Sequence, residues 1–366
     1  MKVIQILPDL DGGGVERGTL EVAKALVEAG HQSLVISAGG RMVAELERDG
    51  SQHIQWDLGR KSLWTLRHVR PLRCWLRQQR PDILHVRSRL PGWIVYLAWK
   101  GLPANDRPRL VTTVHGLYSV SRYSAIMCKG ERVIAVSDTV RRYIADNYPT
   151  TDMTRVRVVY RGIEPDAFPR DYRPSDEWLA QWRQQYPQLA GKQVITLPGR
   201  LTRLKGHHDL IELIDALVKQ GQPVHGLIVG GEDAKRKAYA EELYRTVQQR
   251  GLAEHITFTG NRSDIRDIYA VSDLVLSLST KPESFGRTSL EALSLGVPLA
   301  GYDHGGVGEI LAALFPAGRV PLKDAAALQR VVTDLLQHPQ QPQPNDRFLL
   351  DDMLANTLAI YRELLS

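Results

Sequence analysis

The segment QVITLPGRLTRLKGH, residues 193–207, passes from an apolar strand-like run through a basic, glycine-containing loop to the start of a helix. A strand followed at once by a helix is the unit from which parallel α/β sheets are built. Ligands of such sheets bind beyond the carboxyl ends of the strands, so the loop between strand and helix is a candidate binding loop. Arg200 and Lys205 lie in this loop, where their charges would suit a diphosphate and neutralise it as it departs.

The same alternation of strand-like and helix-like segments continues in both directions along the chain. In the first half we predict strands at 2–7, 32–37, 82–86, 110–114, 132–136 and 156–159. In the second half we predict strands at 193–197, 226–229, 256–258, 274–278 and 298–300. Two such series predict two doubly wound α/β domains, 1–165 and 166–345, and we expect a closing amphipathic helix within about 346–366 to pack back on the first.

The composition is that of an ordinary folded protein, because 43% of the 366 residues are hydrophobic and 24% are charged. Cys74 and Cys128 lie in no CxxC or Cys/His cluster, which fits a reducing compartment and disfavours structural zinc. The start MKVIQILPDL has too short an apolar run for a signal peptide, and no apolar window approaches the roughly 20 residues of a membrane span. We therefore expect a cytoplasmic protein that touches the inner face of the membrane without crossing it.

Charge is unevenly distributed between the two halves. Residues 1–162 contain 25 Lys and Arg against 15 Asp and Glu, a net charge of +10, whereas the remainder carries −4. A basic first half indicates an anionic partner surface, such as a phosphorylated substrate, an anionic lipid or a nucleic acid. A solvated arginine-rich surface would give the same count.

Three glycines, Gly12 to Gly14, follow the first predicted strand and open a helix whose amides could face an anion. A dinucleotide-binding site would also place glycines here, but it requires an acidic residue at the end of the second strand. That strand runs into SAGG at 37–40 without a carboxylate, which argues against a dehydrogenase. Asp9 and Asp11 form an Asp-x-Asp pattern that is too short to indicate a metal site.

Two further strand ends in the first half carry polar side chains. His115 follows an apolar strand in TVHG, where a histidine can donate hydrogen bonds or act as a base near neutral pH. Arg87 and Arg89 follow another strand in HVRSR, and two arginines there suit a phosphate or carboxylate of the acceptor. A structural histidine and an exposed arginine pair are the alternative interpretations.

In the second half, two strand ends complete the predicted site. Gly230 follows a strand in LIVGGE and permits close approach of the backbone to a ligand. Glu283 begins the segment ESFGRTSLE, in which residues 284–287 open a helix that can hold a phosphate. Glu283 can accept hydrogen bonds from sugar hydroxyls, and Glu291, about two turns along, can reach a ribose diol.

These motifs together resemble the retaining glycosyltransferases of family 4. The resemblance covers nearly the whole chain and rests on GGGVER at 12–17, PDILHVRS at 81–88, TVHG at 113–116, AVSD at 135–138, GRLTRLKG at 199–206 and the E-x7-E motif at 283–291. It implies the GT-B fold, in which two Rossmann-like doubly wound domains face each other across a cleft. It also implies a nucleoside-diphosphate sugar, with a UDP-sugar as the expected donor, and an acceptor bound mainly by the first domain.

The resemblance implies roles for individual residues. Catalytic roles fall to Glu283, His115, Arg200 and Lys205. Donor-binding roles fall to Gly13, Gly14, Gly230, Ser284, Phe285, Gly286, Arg287, Thr288 and Glu291. No cofactor and no metal ion is expected, because the arginine and lysine stabilise the leaving diphosphate. Retention without an evident nucleophile indicates front-side displacement.

The sequence departs from the family pattern at two places, and the resemblance also bears on the identity of the acceptor. Arg161-Gly162 stands where an asparagine-glycine pair is usual, and Arg287 follows ESFG where a small apolar pair is commoner. The resemblance points to a glycan or lipid-linked acceptor of lipopolysaccharide core or another surface polysaccharide. The stretch RHVRPLRCWLRQQR at 67–80, with Trp75 among arginines, could lie on anionic lipid headgroups.

Other functions are less well supported by the sequence. A different GT-B activity, such as a nucleotide-sugar epimerase or a phosphorylase, would use a similar fold. A non-catalytic nucleic-acid-binding protein would explain the basic half, but the chain has no aromatic-rich basic platform or reading module, so we expect no nucleic-acid partner.

Overall fold

The computed structural model describes residues 1–232 and 237–366 and divides the chain into two units. Unit 1 comprises Met1–Gly162 together with Leu350–Ser366, and unit 2 comprises Ile163–Leu349. The sequence-based divisions are at 165/166 and 345/346.

Unit 1 contains a seven-stranded sheet in which every strand pair is parallel. Its strands are β1 (Lys2–Ile6), β2 (Gln32–Ser37), β3 (Gln52–Gln55), β4 (Ile83–Val86), β5 (Arg109–Val114), β6 (Arg132–Ala135) and β7 (Val156–Val158). Helices that precede unit 2 are α1 (Gly14–Glu28), α2 (Val43–Arg48), α3 (Val69–Gln79), α4 (Arg89–Lys100) and α5 (Asp138–Asn147). The strand order is β3-β2-β1-β4-β5-β6-β7, so the direction of winding reverses between β1 and β4.

Unit 2 contains a six-stranded sheet that is also entirely parallel. Its strands are β8 (Gln193–Pro198), β9 (Val224–Val229), β10 (Ile256–Gly260), β11 (Leu274–Ser277), β12 (Leu299–Tyr302) and β13 (Arg319–Val320). Its helices are α6 (Asp176–Gln185), α7 (His207–Lys219), α8 (Lys237–Gln249), α9 (Ile265–Ala270), α10 (Arg287–Ser294), α11 (Gly305–Leu314) and α12 (Ala325–Gln337). The order β10-β9-β8-β11-β12-β13 reverses between β8 and β11.

The last helix, α13 (Leu350–Leu365), belongs to unit 1 and buries an apolar face against its sheet. Met353, Leu358, Ile360, Tyr361 and Leu364 pack with strand residues of that unit, among them Val3, Ile83, Val111 and Ile134. Tyr361 lies three positions from Leu358 and from Leu364, and Ile360 lies seven positions from Met353 and four from Leu364, spacings that place these residues on one helix face. The chain therefore leaves unit 1 and returns to complete its core.

The predicted α/β class, with two doubly wound parallel sheets, is confirmed, and two strands were missed. β3 reads QHIQ and is an exposed edge strand, so it has no apolar run by which a sequence could reveal it. β13 contains two residues, which is shorter than any periodic pattern. No helix in the described ranges is long and apolar enough to cross a membrane.

Candidate active site

The loop after β8 brings Lys205 against the loop after β11, at the point where the winding of unit 2 reverses. A 3-10 turn, Arg203–Lys205, ends in Gly206 with φ of +74°, and a Cβ there would lie 2.2 Å from the carbonyl oxygen of Leu278. The amide of Thr280 donates to the carbonyl of Leu204 at 2.9 Å. Position 206 therefore requires glycine, because a side chain there would strain the backbone and clash with Leu278. The close contact that glycine permits holds the two loops together.

Lys205 and Glu283 form an ion pair at this junction. The Lys205 Nζ lies 2.7 Å from Glu283 Oε1, which also accepts a hydrogen bond of 2.5 Å from the hydroxyl of Ser279. The two charged side chains are 30% and 23% exposed, so both remain accessible to a ligand. Burial alone would raise the pKa of Glu283, but the Lys205 charge and the two hydrogen bonds outweigh it and lower the pKa. Glu283 is thus an ionised, fixed acceptor beside a cation.

The first turn of α11 holds the backbone of Glu283 in place. The amide of Gly306 donates to the carbonyl of Glu283 at 2.8 Å, and a Cβ on Gly306 would lie 2.3 Å from the Cα of Phe285. His304, which caps α11, makes a hydrogen bond of 2.7 Å from Nε2 to the carbonyl of Ser279. The carboxylate is therefore positioned by two neighbouring loops as well as by its own.

Helix α10 starts directly after this carboxylate. Gly286 caps the helix with φ of +105°, and Phe285 is buried against Phe348 with ring centroids 5.8 Å apart. Ser284 and Thr288 are half-buried on either side of the helix start. The amino end of a helix favours negative charge, so this turn can receive a phosphate.

Glu291 lies further along α10 and is paired with Arg287. The Arg287 Nε donates to Glu291 Oε1 at 3.0 Å, and the glutamate side chain is 12% exposed. Burial raises the pKa of Glu291 above its ordinary value, although Arg287 acts in the opposite direction. The arginine that departs from the family pattern therefore serves as the partner of the second glutamate.

Gly230 and Arg200 occupy the other side of the β8 end. A Cβ on Gly230 would lie 2.0 Å from the carbonyl oxygen of Gly199, so the chains after β8 and β9 are in direct contact. Arg200 is exposed, and no hydrogen bond or ion pair joins its side chain to another residue within the described ranges. The structure thus brings Lys205 to Glu283 and leaves Arg200 outside that pair.

In unit 1, the glycine-rich turn lies at the carboxyl end of β1. Gly12 and Gly13 have φ of +149° and +145°, and Gly13 caps α1. Gly14, the first residue of α1, has open space where a Cβ would be. Gly12, Gly13, Arg17, Arg41, Met42 and Glu45 line a shallow cavity of about 390 Å³. A glycine turn that opens a helix presents backbone amides of the kind that hold an anion.

The two arginines predicted for the acceptor have different surroundings in unit 1. Arg87 is 3% exposed, and its Nε donates to the Gln5 side-chain oxygen at 2.7 Å. Arg89 lies at the start of α4, where its guanidinium stacks 4.6 Å from the ring centre of Tyr118 and donates to Ser124. Arg87 is therefore part of the core, whereas Arg89 is half-buried at the carboxyl edge of the sheet.

His115 lies just after β5 and is held by Arg161. The Arg161 Nη2 is 2.9 Å from His115 Nδ1, and the His115 amide donates to the Tyr118 hydroxyl at 3.2 Å. The other ring nitrogen, Nε2, is buried and has no hydrogen-bond partner among the described residues. Burial, followed by the charges of Arg161 and Arg87, holds the pKa of His115 well below 6.5.

Sequence reasoning missed Ser279, His304 and Arg161 as members of these clusters. Ser279 and His304 follow the ends of β11 and β12, which was a usable signal because strand ends at a switch point converge. Arg161 follows β7 and was visible only as a departure from the family pattern. No group of three or more His, Cys, Asp and Glu side chains suited to a metal ion occurs within 1–232 and 237–366.

Comparison with protein families gives two adjacent matches. The family model "Glycosyltransferase Family 4" matches residues 12–167, and the model "Glycosyl transferases group 1" matches residues 180–347. Spore coat protein SA of Bacillus subtilis is 23% identical over 319 residues, which cover 83% of this chain and 80% of that protein.

Two solved structures illustrate the similarity in three dimensions. A glycosyltransferase from Rickettsia africae is 29% identical with a TM-score of 0.87, and the match covers 100% of this chain and 98% of that one. HepE of Anabaena, solved with UDP and glucose, is 21% identical with a TM-score of 0.76 over 100% of this chain and 98% of that one. At that identity the second match concerns the fold alone.

Proposed function

Because the chain belongs to the group 1 glycosyltransferases of the GT-B type, we propose that it transfers a hexose, with retention, from a UDP-sugar to a glycan or lipid-linked acceptor. The observation that carries the proposal is the Lys205–Glu283 pair, 2.7 Å apart at the switch point of the unit 2 sheet. Where the loops after β8 and β11 meet, a cation suits the phosphates of a sugar nucleotide and an ionised carboxylate suits its hydroxyls. HepE, which has a similar fold, was solved with UDP and glucose, and we therefore propose a uridine donor as the first to test.

The donor would occupy unit 2 through three contacts. Its diphosphate would lie at Lys205 and the amino end of α10, where a cation and helix amides both favour negative charge. A sugar hydroxyl would donate to Glu283, and the ribose diol would donate to Glu291. Lys205 would exchange part of its interaction with Glu283 for the phosphate, which becomes more negative as the sugar departs.

The proposed chemistry is a front-side displacement. The bond between the anomeric carbon and the donor phosphate oxygen breaks, and the acceptor oxygen bonds to the same face of that carbon. The acceptor proton passes to the departing phosphate, so no protein base is required. Lys205 stabilises the charge that develops on the leaving group, which is where an electrostatic contribution lowers the barrier most.

Ligand-induced stabilisation tests the donor first. UDP-, GDP- and ADP-sugars are compared with hexose phosphate by thermal shift, and the largest rise in melting temperature is expected for a UDP-sugar. The shift should disappear in Glu283→Ala or fall strongly, and it should persist in Glu242→Ala, since Glu242 pairs with Arg203 on the surface. A shift with hexose phosphate alone would favour a phosphorylase instead.

Transfer itself is then measured with and without EDTA. We expect activity to survive the chelator, because Lys205 takes the charge-neutralising role. A strict requirement for added divalent metal would contradict this part of the proposal.

The acceptor is proposed to belong to lipopolysaccharide core or another surface glycan, and to be met at the inner face of the cytoplasmic membrane. Trp64 is better placed than Trp75 for a contact with lipid. Trp75 is half-buried and packs edge-on against Trp56 at 6.2 Å, whereas Trp64 is 76% exposed and Leu66 is 49% exposed. Segment 58–81 contains no acidic residue, so every charged side chain within it is a cation that would attract anionic lipid.

Vesicle binding tests the membrane contact. The protein should co-sediment with vesicles containing anionic lipid and much less with neutral ones, and Trp64→Ser should weaken the binding. Tyr244→Ser is the matched control, since Tyr244 is an exposed aromatic residue of unit 2. Equal binding to both vesicle types would count against the contact.

A further inference from the structure

Unit 1 contains two histidines beside the same two arginines, and they differ in how their ring nitrogens are used. His85 has both nitrogens bonded, Nδ1 to the Tyr361 hydroxyl at 2.5 Å and Nε2 to the Thr113 hydroxyl at 2.6 Å. His115 has Nδ1 bonded to Arg161 and Nε2 buried without a partner in the described chain. Buried polar atoms are nearly always bonded, so the unused nitrogen of His115 requires an explanation, whereas His85 is accounted for by the core.

The partner of Nδ1 determines where the proton of His115 lies. A guanidinium has five N–H donors, no acceptor, and a charge that it keeps at all physiological pH values. Because Arg161 can only donate, the Nδ1 of His115 must offer its lone pair. The proton of the neutral ring then lies on Nε2, which is a donor with nothing inside the unit to receive it.

The position of His115 indicates where the receiver would come from. The residue follows β5 directly at the carboxyl edge of the sheet, next to the strands between which the winding reverses. Arg161 also donates to the carbonyl of Gly14 at 3.3 Å, at the start of α1. Arg161 thus joins the ends of β1, β5 and β7, which is the edge at which ligands of such sheets bind.

We propose that Arg161 is a positioning residue, which holds His115 as the neutral tautomer protonated on Nε2 so that this nitrogen donates a hydrogen bond to a substrate oxygen. An asparagine at this place, as in the family pattern, could present either an acceptor or a donor to Nδ1 and would fix the tautomer less firmly. The hydrogen bond from Nε2 to a substrate oxygen rests on the proposed function, whereas the assignment of the tautomer of His115 is independent of it.

The surroundings of His115 maintain the neutral form. The groups that act on it are Arg161 after β7, His85 and Arg87 of the β4 end, and the Tyr118 hydroxyl of its own loop. Glu21 of α1 carries the opposite charge and acts on Arg87. Two cations near one ring disfavour a third, so the donor on Nε2 persists over the pH range in which an exposed histidine would titrate.

The test begins with the protein free of substrate. Long-range ¹H–¹⁵N correlation spectra of ¹⁵N-histidine-labelled full-length protein report the tautomer and charge of each ring, and His115→Gln identifies the His115 signals. We expect the Nε2–H pattern of His115 without titration between pH 5 and 8. In Arg161→Met the ring should titrate closer to its ordinary pKa and lose the single tautomer, whereas Arg157→Met, which removes a surface arginine paired with Glu363, should leave the signals unchanged.

Kinetics then test the contact with substrate. Arg161→Met should lower kcat/KM by about tenfold at pH 7.5, on the scale of a lost positioning hydrogen bond, and introduce a pH dependence near the new pKa. Arg161→Gln retains an N–H donor on a side chain that can also accept, so it should restore the tautomer and the rate in part. This variant also covers the case in which Arg161→Met fails to fold. Thermal melts establish that the compared variants are folded.

The outcomes separate the two parts of the inference. A wild-type ring that is protonated on Nδ1, or that titrates normally, overturns the proposal whatever the enzyme transfers. A fixed tautomer combined with unchanged kinetics in Arg161→Met overturns the positioning role. If no sugar nucleotide is a substrate, the spectra still decide the assignment of Arg161, and only the proposed function fails.

Discussion

The winding reverses once in each of the two sheets, but the cationic side chains at their carboxyl ends have different kinds of partner. In unit 2, Lys205 is paired with Glu283 and Arg287 with Glu291. In unit 1, Arg87 is bonded to the amide oxygen of Gln5 and Arg161 to the neutral ring of His115. The cation of a partly exposed ion pair can turn part of its interaction to an anionic ligand, whereas a buried cation bonded to neutral dipoles fixes those dipoles in one orientation. We infer that the cations of unit 2 can turn from their carboxylate partners to a ligand, whereas the arginines of unit 1 hold neighbouring side chains in fixed orientations.

The largest expected effect is acid instability, which buried neutral histidines cause in both units. His85 and His115 of unit 1 have a pKa lowered well below 6.5, and burial lowers the pKa of His207 and His225 of unit 2 to about 4. Below pH 6.5 the unfolded chain binds protons that the folded chain does not, so stability falls as the pH falls. Each neutral histidine contributes a slope of about 1.4 kcal/mol per pH unit.

Denaturant unfolding at pH 7, 6, 5 and 4 measures this slope, with the transitions of the two units analysed separately where they resolve. In unit 2 the slope should fade as the pH approaches about 4, where its histidines become protonated. In unit 1 the slope should have the same sign, because burial and the charges of Arg87 and Arg161 lower the pKa of both histidines. His338→Gln, at an exposed position, is the control and should leave the slope unchanged. Identical pH profiles for His85→Gln and the wild type would contradict the assignment.

The next largest effect concerns partner exchange in unit 2. Lys205→Ala should lower turnover by about 10³-fold, roughly 4 kcal/mol, because the charge on the leaving phosphate loses its stabilising cation. Steady-state kinetics with the preferred UDP-sugar provide the measurement, and a thermal melt confirms that the variant is folded. Arg203→Ala is the matched control, since Arg203 lies in the same turn but pairs with Glu242 on the surface. Rates within threefold of wild type for Lys205→Ala would remove the residue from the mechanism.

A smaller effect is expected from the buried cation of unit 1. Arg87→Met should reduce the free energy of unfolding by about 2 kcal/mol, because the Gln5 side-chain oxygen would be left buried without its donor. The double variant Gln5→Leu with Arg87→Met should recover part of that loss, since both polar partners are then absent. Arg70→Met, at an exposed position of α3, controls for the removal of one positive charge. A double variant that is as unstable as the sum of the singles would show that the two residues do not interact.

The sequence allowed most of the fold to be predicted because buried parallel strands are apolar runs bounded by polar loops. Lys205 and Glu283 were both assigned, since each follows a strand at the switch point, although 78 positions separate them. Their direct ion pair, and that of Arg287 with Glu291, could not be predicted, because loop conformation decides which side chains meet. The burial of Arg87 was equally hidden, since an arginine after a strand is usually exposed and its neutral partner lies on another strand.

The smallest expected effect tests whether the second ion pair of unit 2 also exchanges. The carboxyl of Glu291 has a raised pKa, so it loses its charge at a higher pH than an exposed glutamate, and a protonated carboxyl accepts ribose hydroxyls less well. Affinity for UDP should therefore fall as the pH is lowered. Arg287→Ala removes the opposing cation and raises that pKa further, so the fall should begin at higher pH, with a difference from wild type below about tenfold near pH 7.

Calorimetric titration of UDP between pH 8 and 5 separates this effect from the titration of the nucleotide phosphate, which is common to all variants. Glu291→Gln should lack the Glu291 component, and Arg330→Ala, at an exposed position, should follow the wild type. A uniform loss of affinity in Arg287→Ala at every pH would place Arg287 on the phosphate instead of on Glu291. In that case the Arg287–Glu291 pair would be one that the ligand breaks, like Lys205–Glu283, and both ion pairs of unit 2 would exchange on binding.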